Sequence, residues 1–112
     1  FQRVISINPN SADAHYNIAI TFQGQNNLED AIDAYKKALS IKPDYAEAYN
    51  NMGNVLKRQG KCEEAIVAYK KALSVNPHYA EAYNNMGASL QDKCKIEEAI
   101  EAYKRAVSIN PD

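Results

Sequence analysis

Tryptophan is absent from this chain of 112 residues, and cysteine, proline and glycine are scarce at two, four and four. Two cysteines, Cys62 and Cys94, make no disulfide framework, which fits a reduced, intracellular (cytoplasmic) setting. No apolar run approaches the roughly 18 residues of a membrane span, and no secretory leader is visible. Neither sign of charge is in excess: 13 basic side chains face 14 acidic ones, for a formal net charge of -1. That balance provides no positive field for nucleic acid or an anionic membrane, so neither is expected as a partner. Glycines 24, 53, 60 and 87 form no phosphate-cradling loop. His15, His78, Cys62 and Cys94 lack zinc spacing. Neither histidine has a nucleophile or carboxylate at a catalytic distance in sequence. The chain therefore reads as a non-enzyme without metal or cofactor.

What is present is repetition. Prolines stand at 9, 43, 77 and 111, each 34 residues after the last. That register divides the chain into 12–45, 46–79 and 80–112, with 1–11 as the end of a preceding unit. The second and third units agree at 21 of 33 compared positions, and the first and second at 16 of 34. Agreement at one fixed period between 20 and 50 residues points to a solenoid. Phe1 to Ile7 parallels Tyr35 to Ile41, so the chain reads as a piece of a longer array. Apolar residues are 46 % of the chain, yet mean hydropathy is -0.55, so apolar groups are interleaved with charge.

Each unit reads as two helices. Tyr49, Met52, Gly53 and Leu56 mark one face at three-to-four spacing, and Ala65, Ile66, Tyr69, Ala72 and Leu73 mark another. First helices are predicted near 12–24, 46–59 and 80–93, and second helices near 28–41, 62–75 and 96–109. Asp44 is expected to cap the helix that starts at Ala46, with Glu47 reaching back. Acids such as Glu63 and Glu64 open the second helices and bases such as Lys70 and Lys71 lie nearer their ends, an order that suits the helix dipole. Ala19, Gly53 and Gly87 are small in mid-helix, where glycine costs roughly 1 kcal/mol against alanine. Close approach of the partner helix would account for them, with Ala31, Ala65, Ala99, Ala38, Ala72 and Ala106 as further small sites and Phe22, Leu56, Leu90, Tyr35, Tyr69 and Tyr103 as the large groups that face them. Cys94 stands where Asn26 and Gly60 stand in the other units, a place that suits a left-handed turn, so slight backbone strain is expected. Cys62 reads as a small packing group, and a Cys62–Cys94 disulfide is not expected.

Tyr49-x-x-Met52-Gly53-x-x-Leu56, then Ala65-x-x-x-Tyr69, then Pro77 resembles the tetratricopeptide repeat signature at its own period. Unit 80–112 matches through Tyr83, Met86, Gly87, Leu90, Ala99, Tyr103 and Pro111. Unit 12–45 departs at His15 and Ala19. The tryptophan favoured by the family is missing at His15, Tyr49 and Tyr83. The resemblance implies an all-α fold: a right-handed α-solenoid of antiparallel helix pairs, its first helices lining a concave groove. The residues it places there are Asp13, Tyr16, Asn17, Ile20 and Gln23, then Glu47, Asn50, Asn51, Asn54, Lys57 and Arg58. Glu81, Asn84, Asn85, Ala88, Gln91 and Asp92 complete the set. Asn17, Asn51 and Asn85 recur once per unit, and a side-chain amide both donates and accepts. Such a ladder can grip the main chain of an extended peptide, or its amides can be solvated or bridge neighbouring helices. The ladder and the Tyr-Asn-Asn-Met-Gly run resemble the repeat arm of O-linked N-acetylglucosamine transferases.

Relatives that clamp acidic chaperone tails use lysine, arginine and asparagine. Asp13, Glu47 and Glu81 are acids in this groove, Tyr16 and Ile20 fill two further clamp places, and only Lys57 and Arg58 are basic. A neutral or mildly basic extended protein segment is the expected partner. Three readings follow: a peptide-binding scaffold, the substrate-recognition arm of a larger enzyme, and a self-assembling spacer. The apolar face of the last helix, with Ile100, Tyr103 and Val107, is expected to support end-to-end self-association.

Overall fold

A computed structural model describes residues 11–110; Pro9, Pro111 and the parallel drawn for Phe1 to Ile7 lie outside these residues. The described residues form six helices and no strand: α1 (Ala12–Gly24), α2 (Leu28–Ile41), α3 (Ala46–Arg58), α4 (Cys62–Val75), α5 (Ala80–Asp92) and α6 (Ile96–Ile109). The sequence reading overshot two first helices by one residue each, at Gln59 and Lys93, which are their C-caps.

Local chemistry explains where the first helices stop. Asn26, Gly60 and Cys94 have φ of 64°, 81° and 62°. In each turn this left-handed residue donates to a carbonyl three residues back: Asn26 to Gln23, Gly60 to Lys57, Cys94 to Gln91. The next N–H reaches five back, Lys61 to Leu56 and Lys95 to Leu90, at 2.9 Å. This pair of bonds satisfies the last carbonyls of the helix. The strain expected at Cys94 is present, since a β-carbon is disfavoured in that geometry.

The helix starts differ from expectation. Tyr45 rather than Asp44 is the N-cap of α3, without a side-chain cap bond. Among the described helices only α1 has a side-chain cap, the Oγ of Ser11 accepting from Ala14 N at 3.3 Å. Tyr45 and, one repeat on, Tyr79 occupy the cap place; the Tyr45 ring stacks on Tyr16 of the preceding repeat and its phenol reaches back to Asp13. Acids do open α2, α4 and α6, but no base lies in the last turn of any of them. Their lysines sit too far back to meet the C-terminal dipole, whose reach is about one turn.

Successive helices pack antiparallel in pairs, α1 on α2, α3 on α4 and α5 on α6, and the pairs stack through α2–α3 and α4–α5. The result is a right-handed solenoid 46 Å long and 26 by 23 Å across. Its core is built from small residues penetrated by large ones. Ala31, Ala38, Ala65 and Ala72 are fully buried beside Tyr35 and Tyr69. A β-carbon on Gly53 would lie 2.6 Å from Cε1 of Tyr69, and one on Gly87 2.8 Å from Cε1 of Tyr103. The glycines are thus required by contact with the second helix.

Candidate functional site

The first helices α1, α3 and α5 carry the groove set, and α3 touches α5 directly. The side chains are tied together by hydrogen bonds that run between repeats. Asn51 Nδ2 donates to the Tyr16 hydroxyl at 2.8 Å, and Asn85 Nδ2 donates to Asn50 Oδ1 at 3.1 Å. Tyr16 and Asn50 are equivalent positions one repeat apart, so each asparagine rung of α3 and α5 leans on the same place in the repeat before it. Asn17 is half-buried, and its side-chain amide makes no hydrogen bond among the described residues.

Asn50 corrects the sequence reading. It is fully enclosed, with Oδ1 held by Asn85 and Nδ2 unpartnered. The packing of α5 on α3 closes over it, so it supports the neighbouring rung and presents no face to a ligand. The remaining groove set divides by exposure. Asp13, Ile20, Glu47, Arg58, Glu81, Asn84, Gln91 and Asp92 are exposed; Tyr16, Asn17, Gln23, Asn51, Asn54, Lys57, Asn85 and Ala88 are half-buried.

Several of these residues also serve the core tyrosines, whose phenols must find an acceptor when buried. Tyr35 donates to Gln23 Oε1 at 2.5 Å, Tyr103 to Gln91 Oε1 at 3.1 Å, and Tyr69 to Asn54 Oδ1 at 2.6 Å. The switch of acceptor follows from the sequence. In the middle repeat the place of Gln23 and Gln91 is Lys57, which cannot accept, and Asn54 replaces Ile20 and Ala88.

Sequence reasoning missed two residues at the edge of this surface, Tyr45 and Tyr79. Tyr45 stacks on Tyr16 with centroids 4.8 Å apart and donates to Asp13 Oδ1 at 2.8 Å. The Tyr79 phenol is pushed up to about 12, first by burial and then by the carboxylates of Glu81 and Glu47. Burial, followed by Glu47, raises Tyr16 as well. The only available signal was recurrence of tyrosine immediately before the helix in two units.

Basic groups offer little to an anion. The Arg58 guanidinium is engaged, Nη2 donating to Asn26 Oδ1 at 3.0 Å. Among the described residues no group of three histidine, cysteine or acidic side chains is placed to hold a metal ion. Both cysteines are free, and His15 is half-buried while His78 is an exposed turn residue. No helix among the described residues is long and apolar enough to cross a membrane.

Family models described as TPR repeat match residues 24–60 and 53–93, and models described as tetratricopeptide repeat match 80–112 and 1–33. No curated protein matches the chain. Among solved structures, a crystal structure of MamA superposes with TM-score 0.91 at 28% identity, covering 98% of this chain and 64% of that one. A second MamA structure gives TM-score 0.88 at 28% identity over 98% and 60%. The first TPR of Spaghetti (RPAP3), bound to the HSP90 peptide SRMEEVD, gives 0.89 at 25% identity over 91% and 81%. The chain thus spans less than two thirds of the length of the MamA chains it resembles.

Proposed function

Because this chain belongs to the tetratricopeptide repeat family, we propose that it is a protein-interaction scaffold whose concave face grips the backbone of an extended, neutral to mildly basic peptide. Its units on this reading are the end of one repeat over 1–11 and three repeats over 12–45, 46–79 and 80–112. The pair of bridged amides carries the proposal. Each bridge uses one N–H of the asparagine. The second N–H and the carbonyl oxygen remain for a ligand, and the bridge fixes which end is which. Helices in contact lie about 8–10 Å apart, and an extended chain rises about 3.3 Å per residue. Adjacent rungs therefore meet every third residue of one strand. A side-chain amide that reads main-chain groups accepts many sequences in one conformation.

Charge sets the preference. Exposed Glu47 and Glu81 line the face that Lys57 and the engaged Arg58 would have to make positive. The RPAP3 repeat binds the acidic peptide SRMEEVD; in this chain the clamp bases are missing, and that peptide should bind weakly. A low-micromolar affinity for it would contradict the charge argument. The same groove would serve as the substrate-recognition arm of a larger enzyme, a reading that a downstream glycosyltransferase domain in the parent sequence would favour.

A peptide array tests the groove. Removing both rungs in Asn51→Ala/Asn85→Ala should weaken bound peptides about 30-fold or more, since at least one bond of roughly 1 kcal/mol is lost at each of the two rungs. Tyr16→Phe removes one bridge and leaves the amide, so it separates loss of the scaffold from loss of the grip. Equal binding by the wild type and the double variant would overturn the proposal.

A further inference from the structure

Away from the predicted groove residues the solenoid carries a second feature, made twice. Between α2, α3 and α4 lies a pocket of about 270 Å³ floored by Ile32, Met52, Leu56 and Val67. Between α4, α5 and α6 lies one of about 190 Å³. Every residue lining the smaller pocket is the one 34 positions after a residue of the larger. None of the predicted groove residues lines either.

Two substitutions separate the twins, and Ile66 and Lys95, the counterparts of Ile32 and Lys61, do not line the smaller pocket. Val67, 54% exposed, becomes Glu101, and Lys71 becomes Arg105. In the smaller pocket Glu101 Oε2 sits 3.9 Å from Arg105 Nε, so the rim neutralises itself, and Glu98 opposes Lys70. In the larger pocket the rim is Lys36, Lys61 and Lys71 against Glu64 alone. None of these three lysines is in an ion pair among the described residues. Lys71 Nζ is held 5.8 Å from the centre of the Tyr49 ring, on the pocket wall. One pocket therefore joins an apolar lining to a rim with more lysines than acids, and its twin does not.

We propose that the pocket between α2, α3 and α4 is a docking site for an acidic protein segment, taking one large apolar side chain on Val67, Met52 and Leu56 with flanking carboxylates on Lys36, Lys61 and Lys71. The size suits one side chain. Sites that enclose a small molecule are usually about 300–1,000 Å³ and deeper. The lysine stems extend the apolar wall while their ammonium groups meet the carboxylates. This occupant is opposite in charge to the one proposed for the groove, so a single partner could hold both faces only with segments of both kinds.

The probe is an eight-residue peptide with one phenylalanine between pairs of glutamates, titrated into the full chain and followed by amide chemical shifts. Shifts should centre on Val67 and Lys71, and binding should weaken as salt rises. Val67→Glu, which copies the twin at an exposed position, should weaken binding roughly tenfold or more, and replacing the peptide's phenylalanine with serine should do the same. Glu101→Val removes the ion pair of the twin and should add a second set of shifts around Arg105. Unchanged affinity in Val67→Glu, no detectable binding by the wild type, or shifts confined to Asn51 and Asn85 would each overturn the proposal, and none of these results bears on whether the groove binds a basic peptide.

Discussion

The middle repeat and the last one share most of their residues but not their depth. Ile66 is 7% exposed and its counterpart Ile100 is 47%. Tyr69 is fully buried and Tyr103 only half. One continuous cluster runs from Ala12 to Tyr69, whereas Ile66, Leu90, Ala99 and Ala102 form a smaller one that Met86 joins to it. The difference shows that burial here is conferred by the next helix pair. A helical hairpin has an apolar face that it cannot cover alone. Among the described residues the repeat that starts at Ala80 is therefore less buried than the one that starts at Ala46.

Removing the large aromatics should expose that asymmetry most. Tyr69→Ala is expected to cost about 3–5 kcal/mol in urea unfolding, as for other fully buried aromatics, and Tyr103→Ala distinctly less. Equal losses would mean that the two repeats are equally packed. Overpacking comes next. Gly53→Ala puts a methyl against the enclosed Tyr69 ring, a strain of about 1–3 kcal/mol partly offset by the helix preference of alanine, about 1 kcal/mol. A lower melting temperature is expected, and a higher one would show that Tyr69 gives way. At the turns, Cys94→Gly should raise stability by about 1 kcal/mol, because glycine carries no penalty in the left-handed geometry. Gly60→Ala should lower it by a similar amount. The smallest effect on folding is expected at the open face of α6. Ile100→Glu should change stability by less than about 0.5 kcal/mol, as at other exposed sites, while reducing concentration-dependent light scattering. Unchanged scattering would count against self-association through that face.

Much of the fold could be read from residue spacing because the determinants are local or recur at one period. The three-to-four spacing of Tyr49, Met52 and Leu56 placed α3, and the small residue at Gly53 anticipated the close approach of α4, though not that the Tyr69 ring makes the contact. Cys94 was legible because Asn26 and Gly60 occupy the same place. What was not legible depends on partners about one repeat away in sequence. Helical phase puts Asn50 beside Asn51 and cannot tell that α5 closes over one and leaves the other half open. Nothing local to Tyr45 foretells that its phenol bonds Asp13, 32 residues earlier. The exchange of acceptors between Gln23 and Asn54 is visible in the sequence only once the tyrosine phenols are known to need one.

The binding claim meets its most direct test in the side-chain amide signals of Asn51 and Asn85. With isotope-labelled protein titrated by the tightest neutral or basic peptide from the array, both pairs of N–H resonances should move together and saturate at one peptide per chain, while Val67 and Lys71 stay still. If a peptide binds and those amides remain unmoved, the asparagines are braces between repeats and the concave face does not hold its ligand by the backbone.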